Sequence, residues 1–268
     1  MLYLLGFLIL IGLLIFLLKP HMGRVDFGPF LGWDYAHRGF YDNSGAAPEN
    51  SLAAYALAVQ NSYGIEFDIR MTKDKELALI HDPSLLRTSG IDQNIEDCHY
   101  QELQKYKLFN SQEGIPRLAD ILDQVAGKVP LIVEIKSESR DVLEVCQHVT
   151  SYLDSYTGAF MVESFNLQVV AYFKKHRPNS IRGQLSGDLS RQKGLVYFDI
   201  KHLLTNCLTR PDFIAYEHEF QKNPKLNLIR LLFRIPLVVY TVKTPQGYIS
   251  NKKRFDIQIF EGFDSKEM

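Results

Sequence analysis

Apolar positions along this chain follow two regimes that change abruptly at residue 19. Met1 to Leu18 is an unbroken run without a charged side chain. As a helix rising ~1.5 Å per residue it would span about 27 Å, close to the ~30 Å hydrocarbon core of a bilayer. Beyond it, short apolar runs alternate with segments whose apolar positions recur at helical spacing. Strand-like runs are expected at 33–37, 64–70, 76–81, 129–135, 158–163, 180–185, 213–216, 236–242 and 256–260. Helices are expected at 51–61, 118–125, 141–153, 167–175 and 246–253, with Asn50 as a candidate N-cap for the first. The run Val129-Pro130-Leu131-Ile132-Val133-Glu134-Ile135 is apolar on both faces, as a strand covered on both sides requires.

Strands alternating with helices predict parallel pairing through right-handed crossovers. A closed (β/α)₈ barrel and an open doubly wound sheet both satisfy that pattern. About 250 residues follow the apolar run, the usual size of one barrel domain.

The opening run has two readings. A signal peptide would begin with basic residues and end in a small-residue cleavage site. Here no charge precedes the run, and Lys19-Pro20-His21-Met22-Gly23-Arg24 offers no such site. The expectation is an uncleaved transmembrane anchor over 1–18, a juxtamembrane linker over 19–32 and one domain over 33–268. Lys19 and Arg24 follow the span, so the positive-inside rule predicts a single-pass protein of the cell membrane with a cytoplasmic domain.

Composition narrows the partners. The net charge of −1 gives no basic field for nucleic acid. Cys98, Cys146 and Cys207 are odd in number, widely spaced and without a C-x-x-C, which suggests neither a disulfide framework nor a zinc site.

Chemistry concentrates at the ends of the strand-like runs, where barrels of this kind carry their function. The first ends in Ala36-His37-Arg38-Gly39, the second contains Glu66-Phe67-Asp68, the third ends in Ile80-His81-Asp82, and the apolar run ends in Glu134-Ile135-Lys136. Glu66 and Asp68 share a strand face, as do Glu134 and Lys136. Three carboxylates meeting in one mouth repel one another and call for a cation, and oxygen ligands suit Mg²⁺ or Ca²⁺. Lys136 alone is the purely structural partner for Glu134. His37 and His81 titrate near neutral pH and suit acid–base work. Arg38 and Lys136 can hold a phosphate, and Gly39 allows close backbone approach to an anion. Ser164 and Asn166 face a ligand or cap the next helix, with the cap favoured. Asp82 orients a neighbour or caps a loop. His99, His148, His176, His202 and His218 read as surface or packing residues.

The strings A-H-R-G (36–39), P-E-N-S-L-A-A-Y (48–55), G-I-E-F-D-I-R-M-T-K-D (64–74), I-H-D (80–82), V-E-I-K (133–136) and S-F (164–165) together resemble the glycerophosphodiester phosphodiesterase family. The resemblance runs over 34–186 and implies a (β/α)₈ TIM-barrel-like fold. It implies metal-dependent hydrolysis of glycerophosphodiesters to sn-glycerol 3-phosphate and an alcohol. It further implies Glu66, Asp68 and Glu134 as metal ligands, His37 and His81 as the acid–base pair, Arg38 and Lys136 on the phosphate, and Glu49 as a supporting carboxylate. Tyr240-Thr241-Val242 stands where the family often has W-T-V, and Phe255–Gly262 is only loosely similar to its closing strand. Two other functions suit the anchor: lysophospholipase D action on membrane lysophospholipids, and a non-catalytic, membrane-tethered binding module.

Overall fold

Consecutive apolar runs after residue 129 are separated by enough chain for a helical crossover, and the sheet they build is parallel and closed. The computed structural model describes residues 1–23, 25–137, 142–189 and 195–268. Its strands are β1 (Asp34–His37), β2 (Gly64–Met71), β3 (Leu77–Leu79), β4 (Leu131–Ile135), β5 (Phe160–Ser164), β6 (Arg182–Ser186), β7 (Phe213–Glu217), β8 (Leu237–Val242) and β9 (Ile257–Phe260). The order is β1-β9-β8-β7-β6-β5-β4-β2-β3, and β1 also pairs with β2. Without β3 this is a ring of eight parallel strands, which decides between the two architectures left open by the sequence pattern.

β3 departs from the expected parallel scheme. It runs antiparallel to the end of β2, with Ile69 opposite Leu79 and Met71 opposite Leu77. Five residues cannot make a parallel crossover but suffice for a hairpin. The consequence is functional. β2 overshoots the barrel rim, β3 descends again, and the amide of Ile80 reaches the Asp68 carbonyl at 3.1 Å. His81 therefore arrives beside the mouth on a returning strand, not at the upper end of a barrel strand.

Alternation sorts the side chains. On β2, Ile65, Phe67 and Ile69 face out into the helical layer, in one apolar cluster with Leu118, Leu122 and Val149. Tyr35, Ile132, Met161, Phe213, Val238, Ile257 and Ile259 face in and fill the barrel. Two inward positions are glycine for reasons of space. A Cβ on Gly64 would sit 2.6 Å from the Tyr35 ring, and one on Gly183 would sit 2.2 Å from the Phe213 ring. Phe27 and Phe30 close the floor of the barrel, and Phe27 meets Phe213 edge-on at 6.3 Å. The stretch after the N-terminal run is thus partly packed.

The N-terminal run forms a helix, Leu2–Leu18, of 17 residues. Its last turn belongs to the barrel. Leu18 is fully buried, and Asn206 Nδ2 donates to the Leu18 carbonyl at 3.2 Å. Arg210 lies over the Phe16 ring at 5.9 Å. These contacts precede β7, at the floor. Residues 2–13 are exposed. The expected transmembrane span over 1–18 is therefore corrected: no helix among the described residues is long and apolar enough to cross a membrane. The physical reason is that the last turn is committed to protein, so the continuously exposed stretch is residues 2–13, about 18 Å against the ~30 Å hydrocarbon core. Arg24, which entered the sidedness expectation, lies outside the described residues, as does Asp141, the expected start of the helix that begins at Val142.

Several local expectations change. The cap of the helix Leu52–Gln60 is Ser51, whose side chain accepts from the Ala54 amide, and not Asn50. The helix Pro224–Phe233 was not anticipated, although Asn223 followed by Pro224 is a recognisable start. Residues 82–117 form a small lobe with its own core, including Leu85, Ile95, Leu103, Leu108 and Ile115.

Candidate active site

The register of the strands assembles the site. His37 stands opposite Glu66. One step higher, Asp68 stands opposite Glu134, and Glu134 opposite Glu163. Inward-facing positions on four neighbouring strands thus place four carboxyls and an imidazole at the C-terminal rim. Above them opens a cavity of about 410 Å³ whose walls include His37, Arg38, His81, Lys136, Tyr240 and Glu261.

Glu66, Asp68 and Glu134 are all buried and can each turn one oxygen inward, within 4.8 Å of one another. Lys136 Nζ lies 2.7 Å from Glu134 and 3.1 Å from Asp68. Arg38 Nε lies 3.4 Å from Asp68. Burial drives the Asp68 carboxyl up, but Lys136, His81 and Arg38 outweigh it and hold Asp68 well below its ordinary range. For Glu66 the compensation, from Arg38, is too small. Burial, then Asp68 and Glu134, raise it well above the usual carboxylate value. Lys136 therefore does not balance the cluster by itself, and a buried carboxylate short of positive charge is what a divalent cation relieves. The residues present fit such an ion.

The turn after β1 is unusual for the same reason. Arg38 has φ +56° and directs its amide to Glu66 at 3.2 Å while its guanidinium reaches Glu49 at 2.6 Å. Non-glycine residues rarely adopt this conformation, and it persists where surrounding contacts impose it. Gly39 follows at φ +84°, and a Cβ there would sit 2.9 Å from Ala54. Its need is packing against the helix, not access for an anion. Asn50, freed from capping, donates to Asp68 at 3.0 Å and accepts from Tyr55 at 2.9 Å.

Each histidine is held by a carboxylate at Nδ1. His37 meets Glu261 at 2.5 Å, and His81 meets Asp82 at 2.6 Å. The Nε2 of each ring is thereby left for a reacting group. Burial lowers the His37 pKa below its ordinary value against the pull of Glu261. The hydrogen bond from His81 is the main cause of a lowered Asp82 carboxyl, with Arg87 contributing.

The structure brings together all eight residues singled out from sequence. It adds Glu163, Glu261 and Arg87, places Asp82 against His81 in the orienting one of its two expected roles, and sets Tyr240 in the wall of the mouth. Glu261 had a visible signal in the closing strand at 255–262, but its distance from His37 in sequence hides the contact. Glu163 had none: a Glu before Ser164 reads as an ordinary strand residue until β5 is placed beside β4. It is buried, and burial followed by Glu134 raises its carboxyl well above the ordinary range. Ser164 and Asn166 are structural. Ser164 donates to the Ile135 carbonyl at 2.6 Å, and Asn166 caps the next helix. The remaining histidines lie elsewhere, for instance His176 stacked on Tyr172 and His218 between Gln221 and Asn251.

Comparison with known proteins agrees with this geometry. Residues 37–262 match the model of the glycerophosphoryl diester phosphodiesterase family. The chain is 32% identical over 192 residues to YhdW of Bacillus subtilis, covering 65% of this chain and 77% of that protein. It is 30% identical over 169 residues to a glycerophosphodiester phosphodiesterase of Bacillus altitudinis, covering 59% and 68%. Its fold is similar to that of an Oleispira antarctica phosphodiesterase solved with sn-glycerol-3-phosphate. That match has a TM-score of 0.73 and 22% identity, over 88% of this chain and 95% of the other.

Proposed function

Since the chain belongs to the glycerophosphoryl diester phosphodiesterase family and is a glycerophosphodiester phosphodiesterase, we propose a division of labour among the residues of its mouth. The carrying observation is that three buried carboxylates can converge within 4.8 Å beside two carboxylate-held histidines. Glu66, Asp68 and Glu134 hold a divalent ion, Mg²⁺ or Ca²⁺. When bound, it neutralises the cluster and polarises a phosphoryl oxygen. Arg38 and Lys136 bind and orient the phosphate. One histidine takes a proton at Nε2 from the nucleophile, either water or the neighbouring glycerol hydroxyl, and the other gives one to the departing alcohol; where the glycerol hydroxyl attacks, water then opens the cyclic phosphate to sn-glycerol 3-phosphate. Glu49 keeps Arg38 in place through their 2.6 Å contact. The product bound by the Oleispira antarctica protein supports sn-glycerol 3-phosphate as the phosphorylated product.

The substrate is a water-soluble glycerophosphodiester. Tyr41, Phe165 and Tyr240 stand in a wall otherwise dominated by charged and polar groups, and the apolar helix leaves from the opposite end of the barrel. A lysophospholipid would need an apolar path to the mouth. The test is release of sn-glycerol 3-phosphate from glycerophosphocholine and lysophosphatidylcholine, each with Mg²⁺, Ca²⁺ or EDTA. We expect metal-dependent turnover favouring glycerophosphocholine. Preference for lysophosphatidylcholine would reverse the substrate assignment. A folded, metal-loaded protein inert on both would leave the binding-module reading.

The helix Leu2–Leu18 embeds in lipid without crossing it. The support is an apolar surface on every side, exposed over residues 2–13. Lys19 at its end meets anionic headgroups on the cytoplasmic face. Flotation with liposomes tests this: the chain is expected to float, and Ile9→Asp with Leu10→Asp to remain at the bottom. Equal flotation of both proteins would refute lipid insertion, and protease shaving of intact cells that removes the barrel would refute the cytoplasmic side.

A further inference from the structure

We infer that Arg87 is a positioning residue that locks the phosphate-holding arm and one acid–base histidine to a single scaffold. The inference rests on the roles proposed above for Arg38 and His81.

Arg87 lies on a single helical turn, Leu86–Ser89, in the lobe between β3 and β4. Its guanidinium has two working edges. Nη1 and Nη2 donate to Glu49 at 2.9 and 2.7 Å, a two-pronged contact with one carboxylate. Nε donates to Asp82 at 2.5 Å. Each acceptor has a second task. Glu49 also accepts from Arg38 at 2.6 Å, and Asp82 accepts from His81 at 2.6 Å. The chain Arg38–Glu49–Arg87–Asp82–His81 therefore runs from one side of the mouth to the other with Arg87 at its middle.

Three features make it a built device. The Glu49 carboxylate is 4% exposed, so its orientation is confined. Asn43 fixes the same carboxylate from a third direction, donating at 2.9 Å while accepting the Glu49 amide at 2.9 Å. The guanidinium rests over the Phe109 ring at 5.5 Å, and the Phe109 amide donates to the Thr88 carbonyl at 2.7 Å, so the lobe holds the arginine from beneath. A lysine has no planar fork, so it could not match the two-pronged contact with Glu49 while also reaching Asp82. Arg87 touches no reacting atom in this scheme. It sets the aim of Arg38 through Glu49 and the aim of His81 through Asp82.

The two arms predict separable kinetics. On glycerophosphocholine with Mg²⁺, Glu49→Gln raises KM and Asp82→Asn lowers kcat, each on the order of 10-fold. Arg87→Ala does both, losing on the order of 100-fold in kcat/KM. The decisive readout is coupling. Asp82→Asn added to Arg87→Ala costs severalfold less kcat than it does in the parent, and Glu49→Gln added to it costs severalfold less KM. A merely structural arginine would give multiplicative losses instead, and that result overturns the inference. If Arg87→Ala melts at the assay temperature, Arg87→Lys replaces it in the same cycles. A lysine variant with kcat and KM within twofold of the parent overturns the inference as well. Failure of the parent enzyme to turn over would instead condemn the proposed function, so the two failures are distinguishable.

Discussion

Glu66→Gln is expected to melt higher than the parent in EDTA and to lose metal-dependent turnover by on the order of a thousandfold. Both effects come from one fact. Glu66 is buried next to Asp68 and Glu134, and its carboxyl is pushed well above the ordinary range by burial and then by those two neighbours. A carboxyl raised in the folded state binds its proton more tightly there than in the unfolded chain. Its contribution to stability is fullest at low pH. It is lost as pH rises from the unfolded value of ~4.3 up through the raised folded value. At neutral pH the carboxyl, ionised or holding a proton the unfolded chain has released, therefore works against the metal-free fold, and glutamine removes that cost at nearly constant shape. The parent melting temperature should rise on adding Mg²⁺, because an ion held only by the folded state stabilises it. The variant should show little rise. Differential scanning fluorimetry with and without Mg²⁺ reads both arms. A variant that melts lower than the parent in EDTA would sink the account of the cluster as a cation site kept at a cost to stability.

Glu261→Gln is expected to lower kcat by on the order of a thousandfold with little change in KM. Glu261 accepts from His37 Nδ1 at 2.5 Å and also holds Tyr41 at 3.0 Å and Lys243 at 2.8 Å. A glutamine amide would donate to Nδ1 and drive the ring proton to Nε2, the atom that must accept one if His37 is the base. The pH profile adds a signed test. Burial lowers the His37 pKa, and the Glu261 hydrogen bond and charge oppose that shift. Removing the charge lets burial prevail, so the acid limb of kcat/KM moves to lower pH. A limb moving to higher pH, or kcat within threefold of the parent, would remove Glu261 from the mechanism.

Much of this molecule is legible in its residues because the relevant physics is local. The alternation on β2 requires Glu66 and Asp68 to share one face and Ile65, Phe67 and Ile69 the other, whatever the fold around them. The apolar 131–135 run requires cover on both sides, and a carboxylate inside it requires a partner. Coupled motifs at ordered spacing identified the family and the eight residues that the structure gathers at one rim. Local signals were also missed: the Asn223-Pro224 helix start needed no tertiary knowledge.

Other features are decided by contacts far apart in sequence. Closure into a ring depends on β9 finding β1, where Tyr35 pairs with Ile259; no local periodicity distinguishes that from an open edge. Glu163 becomes a fourth carboxyl of the mouth only because strand register sets it opposite Glu134. Glu261 reaches His37, and Arg87 reaches Glu49, across loops whose lengths carry no information about their end points. The N-terminal helix shows the same division. Its apolarity is a property of its residues, whereas its loss of a turn to Asn206 and Arg210 is a property of the folded barrel. Sequence by itself determined which side chains share a face and which chemistry they carry, because backbone geometry repeats at fixed intervals. The tertiary structure alone decided which faces meet, because that depends on long-range packing that local patterns do not encode.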